Sequence, residues 1–319
     1  MNKGLAFRFV LVAILLALAT RYGNYSDLVS HLTPSLLVGM LAAQPFLFLS
    51  IAMMAMRFAV LASTPAMPFF PTFKSMLLAI GLNALLPGRL SELLKVTYLR
   101  DHAGLSMTSG MAALFLERLI DVIVLGLLTL ASISLLVLDA TGVTIALMGV
   151  AIAVLAALPV FEKQFAGLAR RLPWAAVRTL AGRFLSQLSG RVRDRLFYRA
   201  FLFGLAAWVL SWASVVIVVH LAGSIPIGLL GGLTVFVFTT FGSALPALPG
   251  GFGTYEAAAV IALKGFGYGF DEALALALAI HVSQLLGTLG VALLIVFTER
   301  IGLATLLRQA IDFVRPPIK

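Results

Sequence analysis

Apolar runs long enough to cross a bilayer follow one another along nearly the whole chain, and two further ones are broken at their midpoint by proline and glycine. Covering the hydrocarbon takes about 20 residues of helix. Runs near 5–20, 35–56, 106–138, 141–160, 198–220 and 272–298 are of that order. With 61% hydrophobic and 11% charged residues, the chain lies far above the roughly 45–50% apolar content of a soluble domain. The expectation is an all-α polytopic membrane protein with six full spans. Residues 72–100 and 228–267 differ: each reads as two short helices joined at a break, the pattern of a re-entrant hairpin.

Composition excludes several classes of function. The chain has no cysteine, so disulfides, thiolate metal sites and thiol nucleophiles are absent. Its four histidines, at 31, 102, 220 and 281, form no spaced metal cluster. The net charge of +10 falls between apolar segments, where lipid headgroups and the positive-inside rule account for it better than nucleic acid does. No metal, cofactor or nucleic-acid partner is expected.

Those basic residues set an orientation. Lys163, Arg170, Arg171, Arg178, Arg183, Arg191, Arg193, Arg195 and Arg199 stand against Glu162 and Asp194, which marks 161–197 as a basic, amphipathic cytoplasmic segment. Lys3 and Arg8, with Arg300, Arg308, Arg315 and Lys319, place both termini inside. Arg57 and Lys74 then fall on the cytoplasmic side. The first half, 1–160, holds a hairpin opened from inside, and the second, 198–319, holds one opened from outside. Ala17-Leu18-Ala19 formally offers a signal-peptidase site after the first run, with an uncleaved first helix as the other reading.

The two broken segments are inverted in topology and alike in sequence. NALLPGRLSE at 83–92 and SALPALPGGFGTYE at 243–256 each carry a small polar residue, Ala-Leu, a Pro-Gly break and a glutamate beyond it. A glycine-containing turn follows each, at 102–106 and 265–272. Glu117 then lies 25 residues after Glu92, and His281 lies 25 after Glu256. Inverted repeats with discontinuous helices are a transporter design that exposes backbone groups near the middle of the bilayer.

In the first repeat, Pro87 removes an N–H and Gly88 accepts unusual backbone angles, so the entering helix stops and reverses there. Asn83 and Ser91 are placed to satisfy the freed backbone groups. Arg89 and Glu92 lie three apart and are placed to pair. The break faces a protein-lined cavity, or it is a shallow loop whose charges reach water. Farther on, FLERLID puts Glu117 and Asp121 one turn apart, with Arg118 three before Asp121, inside a span that should turn them to the bundle interior. Two readings fit: an ion-pair network that locks helix packing, or a lipid headgroup site with Arg118 on the phosphate. Two acids against one arginine leave negative charge in excess, suited to a cationic headgroup or a coupling proton.

In the second repeat, Pro246 and Pro249 break the helix, and Gly250, Gly251 and Gly253 let backbone approach a ligand. Thr254 is placed as N-cap, with Tyr255 and Glu256 in the first turn. Unpaired N–H groups at such a helix start favour a phosphate. His281 and Gln284, one turn apart, offer a donor–acceptor pair, or His281 is a hydrogen-bonded core histidine.

Taken together, NALLPGRLSELLK, ERLID, LPALPGGFGTYEAA and the ALALAIH helix resemble the flippase-like membrane domain of bacterial lysylphosphatidylglycerol synthase/flippases, shared with stand-alone relatives linked to hopanoid and archaeal glycolipid pathways. Matching positions are Asn83, Pro87, Gly88, Glu92, Glu117, Arg118, Asp121, Pro249, Gly250, Gly251, Gly253 and Glu256. The resemblance covers most of the chain and implies a bacterial inner-membrane location, two inverted re-entrant repeats and movement of lipids between leaflets. Many members of the lysyl-lipid branch carry arginine where this chain has His281. The soluble aminoacyl-transfer domain is not in this sequence, so lysyl transfer is not expected. A lipid translocase with a polar cavity between the hairpins, binding a phospholipid or polyprenyl-phosphate-type lipid, is the leading expectation. The alternatives are a membrane transferase acting on a lipid-linked sugar and a non-catalytic scaffold for a separate lipid-modifying enzyme.

Overall fold

The computed structural model describes residues 33–62, 66–83, 85, 90–137, 195–245 and 249–302. The expected runs at 5–20 and 141–160, nearly all of the basic segment 161–197, both termini, and Pro87, Gly88, Arg89 and Pro246 lie outside these residues.

The described residues form helices only: α1 (Pro34–Ala62), α2 (Phe69–Leu82), α3 (Leu90–Ala103), α4 (Met107–Val137), α5 (Arg195–Ala222), α6 (Gly228–Ala244), α7 (Thr254–Gly265) and α8 (Phe270–Thr298). Their lengths run 29, 14, 14 and 31 residues, then 28, 17, 12 and 29. A long, short, short, long order therefore occurs twice. The short pairs are the two broken segments read from sequence. Length and composition make α1, α5 and α8 candidate spans. α4 is longer still but carries Glu117, Arg118 and Asp121.

Local chemistry explains the boundaries. Ser106 caps α4 by accepting the N–H of Ser109 at 3.1 Å. Pro71 falls in the first turn of α2, where its missing N–H costs no helical bond. A 3-10 turn, Pro249–Gly251, precedes α7, with Gly250 at φ 76° and Gly251 at φ 80°. Only glycine adopts such angles without steric cost. The N-cap of α7 is Gly253, at φ 88°, and not Thr254. Thr254 instead lies inside the helix and turns its hydroxyl back to the Gly251 carbonyl at 3.2 Å.

The chain divides into two compact units. One gathers the described residues of Met1–Ser50, Leu77–Ser91 and Val209–Leu303 and carries His281; the other gathers those of Ile51–Met76 and Glu92–Trp208 and carries Arg57. In the histidine unit, α6 packs on α7 and α7 on α8. A Cβ added at Gly242 of α6 would strike the Thr254 carbonyl and Ala258, so the absence of a side chain sets that close approach. Gly81 of α2 lies equally close to the Thr288 carbonyl of α8. Gln44 of α1 donates to the Ser283 carbonyl at 3.0 Å and its hydroxyl at 2.7 Å, tying α1 to α8. At the end of α5, the Tyr268 hydroxyl donates to the Ile225 carbonyl at 2.5 Å, and the Glu272 carboxylate accepts from the Ser224 N–H and hydroxyl at 2.7 and 2.8 Å. In the arginine unit, Ile120, Val124, Leu94, Val96 and Leu99 are buried, and α5 closes on α4 through Gly204, where a Cβ would meet Ile120 and Arg57.

Candidate functional site

The residues singled out from sequence fall into two groups, one in each unit. In the arginine unit the first half of α4 presents Glu117, fully buried, with Arg118 and Asp121 on the same stretch. Glu117 is met by Lys95 of α3 at 2.5 Å and by Arg57 of α1 at 3.2 Å. Arg57 also reaches Asp121 at 2.6 Å, and Trp208 of α5 donates its indole N–H to the same carboxylate at 2.9 Å. Arg118 contacts Asp121 at 3.3 Å and Glu92 of α3 at 3.7 Å.

Two members of this network, Arg57 and Lys95, had no assigned place in it. Arg57 is not a loop charge marking a membrane face, because it lies within α1 with its side chain 2% exposed. Its signal was available, since a lone cation inside a 29-residue apolar helix must find a partner. Lys95, one turn after Glu92, sits over the Phe58 ring at 4.3 Å with its ammonium on Glu117. Counting them corrects the charge: Arg57, Lys95 and Arg118 balance Glu92, Glu117 and Asp121. Among the described residues the network carries no excess of negative charge.

Exposure is uneven across the network. The Arg118 side chain is 43% exposed and that of Glu92 27%, whereas Arg57, Lys95 and Glu117 are buried. Arg118 does not turn to the interior as α4's position suggested, although its Nε is a buried donor with no hydrogen-bond partner among the described residues. Arg89, the other candidate partner for Glu92, is not among them.

The histidine unit brings together Gly250, Gly253, Thr254, Tyr255, Glu256, His281 and Gln284. The Glu256 carboxylate accepts from the Gly253 N–H at 2.7 Å and meets His281 Nδ1 at 2.6 Å. His281 Nε2 faces the Gly250 carbonyl at 2.9 Å. The ring stacks on Tyr255 with centroids 4.1 Å apart, and Phe252 tilts against it at 4.9 Å. Tyr255 donates to Gln284 at 3.4 Å. Gly251 lies over Ser243 of α6. Asn83 accepts from the Ser91 hydroxyl at 3.2 Å, so these two polar residues meet each other across the first break. Among the described residues no group of three His, Cys, Asp or Glu side chains is placed to hold a metal ion.

Residues 5–307 match the family model described as the lysylphosphatidylglycerol synthase TM region, and the chain belongs to that family. It is accordingly a helical membrane protein with several spans, of a family whose function is related to membrane lipid. No curated protein and no solved structure matches the chain.

Proposed function

We propose that the chain is a lipid translocase that moves a phospholipid or a polyprenyl-phosphate-type lipid between leaflets. The observation that carries this reading is the uneven exposure of the ion network on α4. Arg57, Lys95 and Glu117 are sealed, while Arg118 and Glu92 stand at its open edge, joined loosely at 3.7 Å. A lipid phosphate competes well for such an arginine, because the planar guanidinium binds phosphate oxygens bidentately. Glu92, released, is free for a cationic or hydroxyl part of the headgroup. At the start of α7 the anion is the protein's own Glu256, which makes Arg118 the stronger choice for the phosphate.

The repeated long, short, short, long order supports six spans with two inverted hairpins and both termini on the cytoplasmic face of a bacterial inner membrane. Broken helices inside a membrane are tolerated where they line a polar path. Glycines and paired polar groups at both breaks fit that use.

The test uses proteoliposomes containing headgroup-labelled phosphatidylglycerol, phosphatidylethanolamine or polyprenyl phosphate and a membrane-impermeant quencher. The intact protein should expose inner-leaflet label, with or without an imposed proton gradient. Arg118→Ala and Glu92→Gln should slow this about tenfold or more, the effect of one lost contact to a charged group. If no lipid moves faster than in empty vesicles, the reading fails for those lipids. A transferase acting on a lipid-linked sugar, or a scaffold for a lipid-modifying enzyme, then takes its place.

A further inference from the structure

His281 has a partner on each ring nitrogen: Nδ1 meets Glu256 Oε1 at 2.6 Å, and Nε2 meets the Gly250 carbonyl at 2.9 Å. A carbonyl oxygen only accepts, so Nε2 carries a hydrogen. The Nδ1 contact needs one more hydrogen, which belongs either to an imidazolium beside a carboxylate or to a carboxylic acid beside a neutral imidazole. Both forms hold the same number of protons and have zero net charge. Without that proton the ring keeps one N–H for two acceptors, and one of the two contacts must break.

What breaks is a tether on the second hairpin. Gly250 sits in the 3-10 turn ahead of α7, at φ 76°, and its carbonyl is held to α8 by this ring. The second oxygen of Glu256 takes the Gly253 N–H. The proton therefore secures the turn, because the one ring N–H left without it goes to the carboxylate, the stronger acceptor, and the Gly250 carbonyl is released. The Gly253 N–H keeps its acceptor in either state. The groups around the pair are neutral hydrogen-bonding side chains: Tyr255 on α7, hydrogen-bonded to Gln284 of α8 and Thr239 of α6, and Gln44 of α1 on the neighbouring Ser283. Gly81 of α2 packs on Thr288, farther along α8. Lys264 stands at the last turn of α7, and Asp271 and Glu272 at the first turn of α8. Among the described residues no second charged side chain pairs with Glu256 or His281.

We propose that Glu256 and His281 form a proton-binding site that holds the tip of the second hairpin against α8 when occupied and releases it when the proton leaves to water. On the translocase reading, this site makes lipid movement proton-linked.

The absence of native cysteine allows one thiol to report on the tip. Ser243→Cys, at the exposed residue beside Gly251, is labelled with a maleimide in proteoliposomes across about pH 5 to 9, where histidine sites titrate. At each pH the rate is divided by that of Ser243→Cys in a Glu256→Gln background, which cancels the chemistry of the thiol. The glutamine amide donates to Nδ1 while its oxygen takes the Gly253 N–H, so both ring contacts persist with no proton to lose. His281→Arg, a permanent donor to both partners, is the second locked background and replaces the first if that one does not fold. The ratio should rise about tenfold with pH, the equilibrium change carried by one lost buried hydrogen bond.

A ratio that stays flat in both backgrounds overturns the proton site. Lipid movement is read on the same vesicles with the intact chain and each locked variant. A pH-dependent ratio with no movement of any lipid keeps the proton site and removes the translocase reading. A flat ratio with lipid movement does the reverse. Movement that neither locked variant alters at any pH overturns the proton linkage.

Discussion

Twenty-five residues after the glutamate in the first turn of each repeat's second short helix, one repeat places Glu117 and the other His281. The same register is answered in opposite ways. Around Glu117 the chain supplies Arg57 and Lys95, and Arg57 is a cation that does not lose its proton at any physiological pH. Around His281 it supplies an acid and a carbonyl, so a shared proton completes the cluster. Arg57 anchors a network whose shape does not depend on a shared proton. A histidine with two acceptors anchors one whose shape does. The same register thus yields a cluster held by an arginine in one unit and a cluster completed by a shared proton in the other.

Removing a fixed charge should have the largest effect. Arg57→Ala leaves Glu117 and Asp121 without their shared cation, and breaking a buried pair from one side costs about 3–5 kcal/mol. Thermal unfolding in detergent should show this loss at every pH near neutrality. If the variant melts with the parent, the network is not what holds the arginine unit together, and the contrast collapses.

The titratable cluster should behave differently. His281→Phe keeps a ring against Tyr255 but loses both hydrogen bonds, a cost of about 1–3 kcal/mol. Its sign with pH sharpens the comparison. The parent holds the shared proton at low pH, so the cost is full there and shrinks as rising pH empties the site in the parent too. A cost that stays constant with pH puts His281 in the same class as Arg57. Smaller again is Tyr268→Phe, which leaves the Ile225 carbonyl without its donor for about 1 kcal/mol. Burial raises the Tyr268 pKa, so the hydroxyl remains a donor and the loss should not vary with pH near neutrality. A pH-dependent loss there would show that the α5–α6 loop, and not only the tip, follows the histidine.

Much of this was legible in the chain. Proline and glycine at 249–251 located the second break, because backbone angle is a local property, and the first break falls between Leu82 and Leu90, around the Pro87-Gly88 pair read from sequence. The 25-residue spacing set His281 in the register of Glu117, but its contact with Glu256 appears only in the structure. The partners of Glu117 were hidden, because they arrive from α1 and α3, 60 and 22 residues upstream, and no local periodicity encodes such contacts. Arg57 also carried a competing meaning, since a basic residue near the end of an apolar run reads first as a marker of the cytoplasmic face. Gly253 displaced Thr254 as the cap because a tight reversal at φ 88° excludes a side chain there. Spacing alone does not show that preference.

The smallest change in stability belongs to Arg118→Ala, and it separates packing from function most cleanly. Its side chain is 43% exposed and holds Glu92 at 3.7 Å, so its loss should cost no more than about 1 kcal/mol in thermal unfolding. Arg57 still bridges Glu117 and Asp121 in that variant, and Lys95 still caps Glu117. If the exposed edge exists to hold phosphate, lipid movement should fall about tenfold while melting barely shifts, and Arg118→Lys should restore charge without the two-pronged grip and recover only part of the rate. A variant that loses several kcal/mol would place Arg118 with the buried cations, and the α4 network would then be one structural lock. A variant that melts and transports like the parent would leave the open edge without a headgroup.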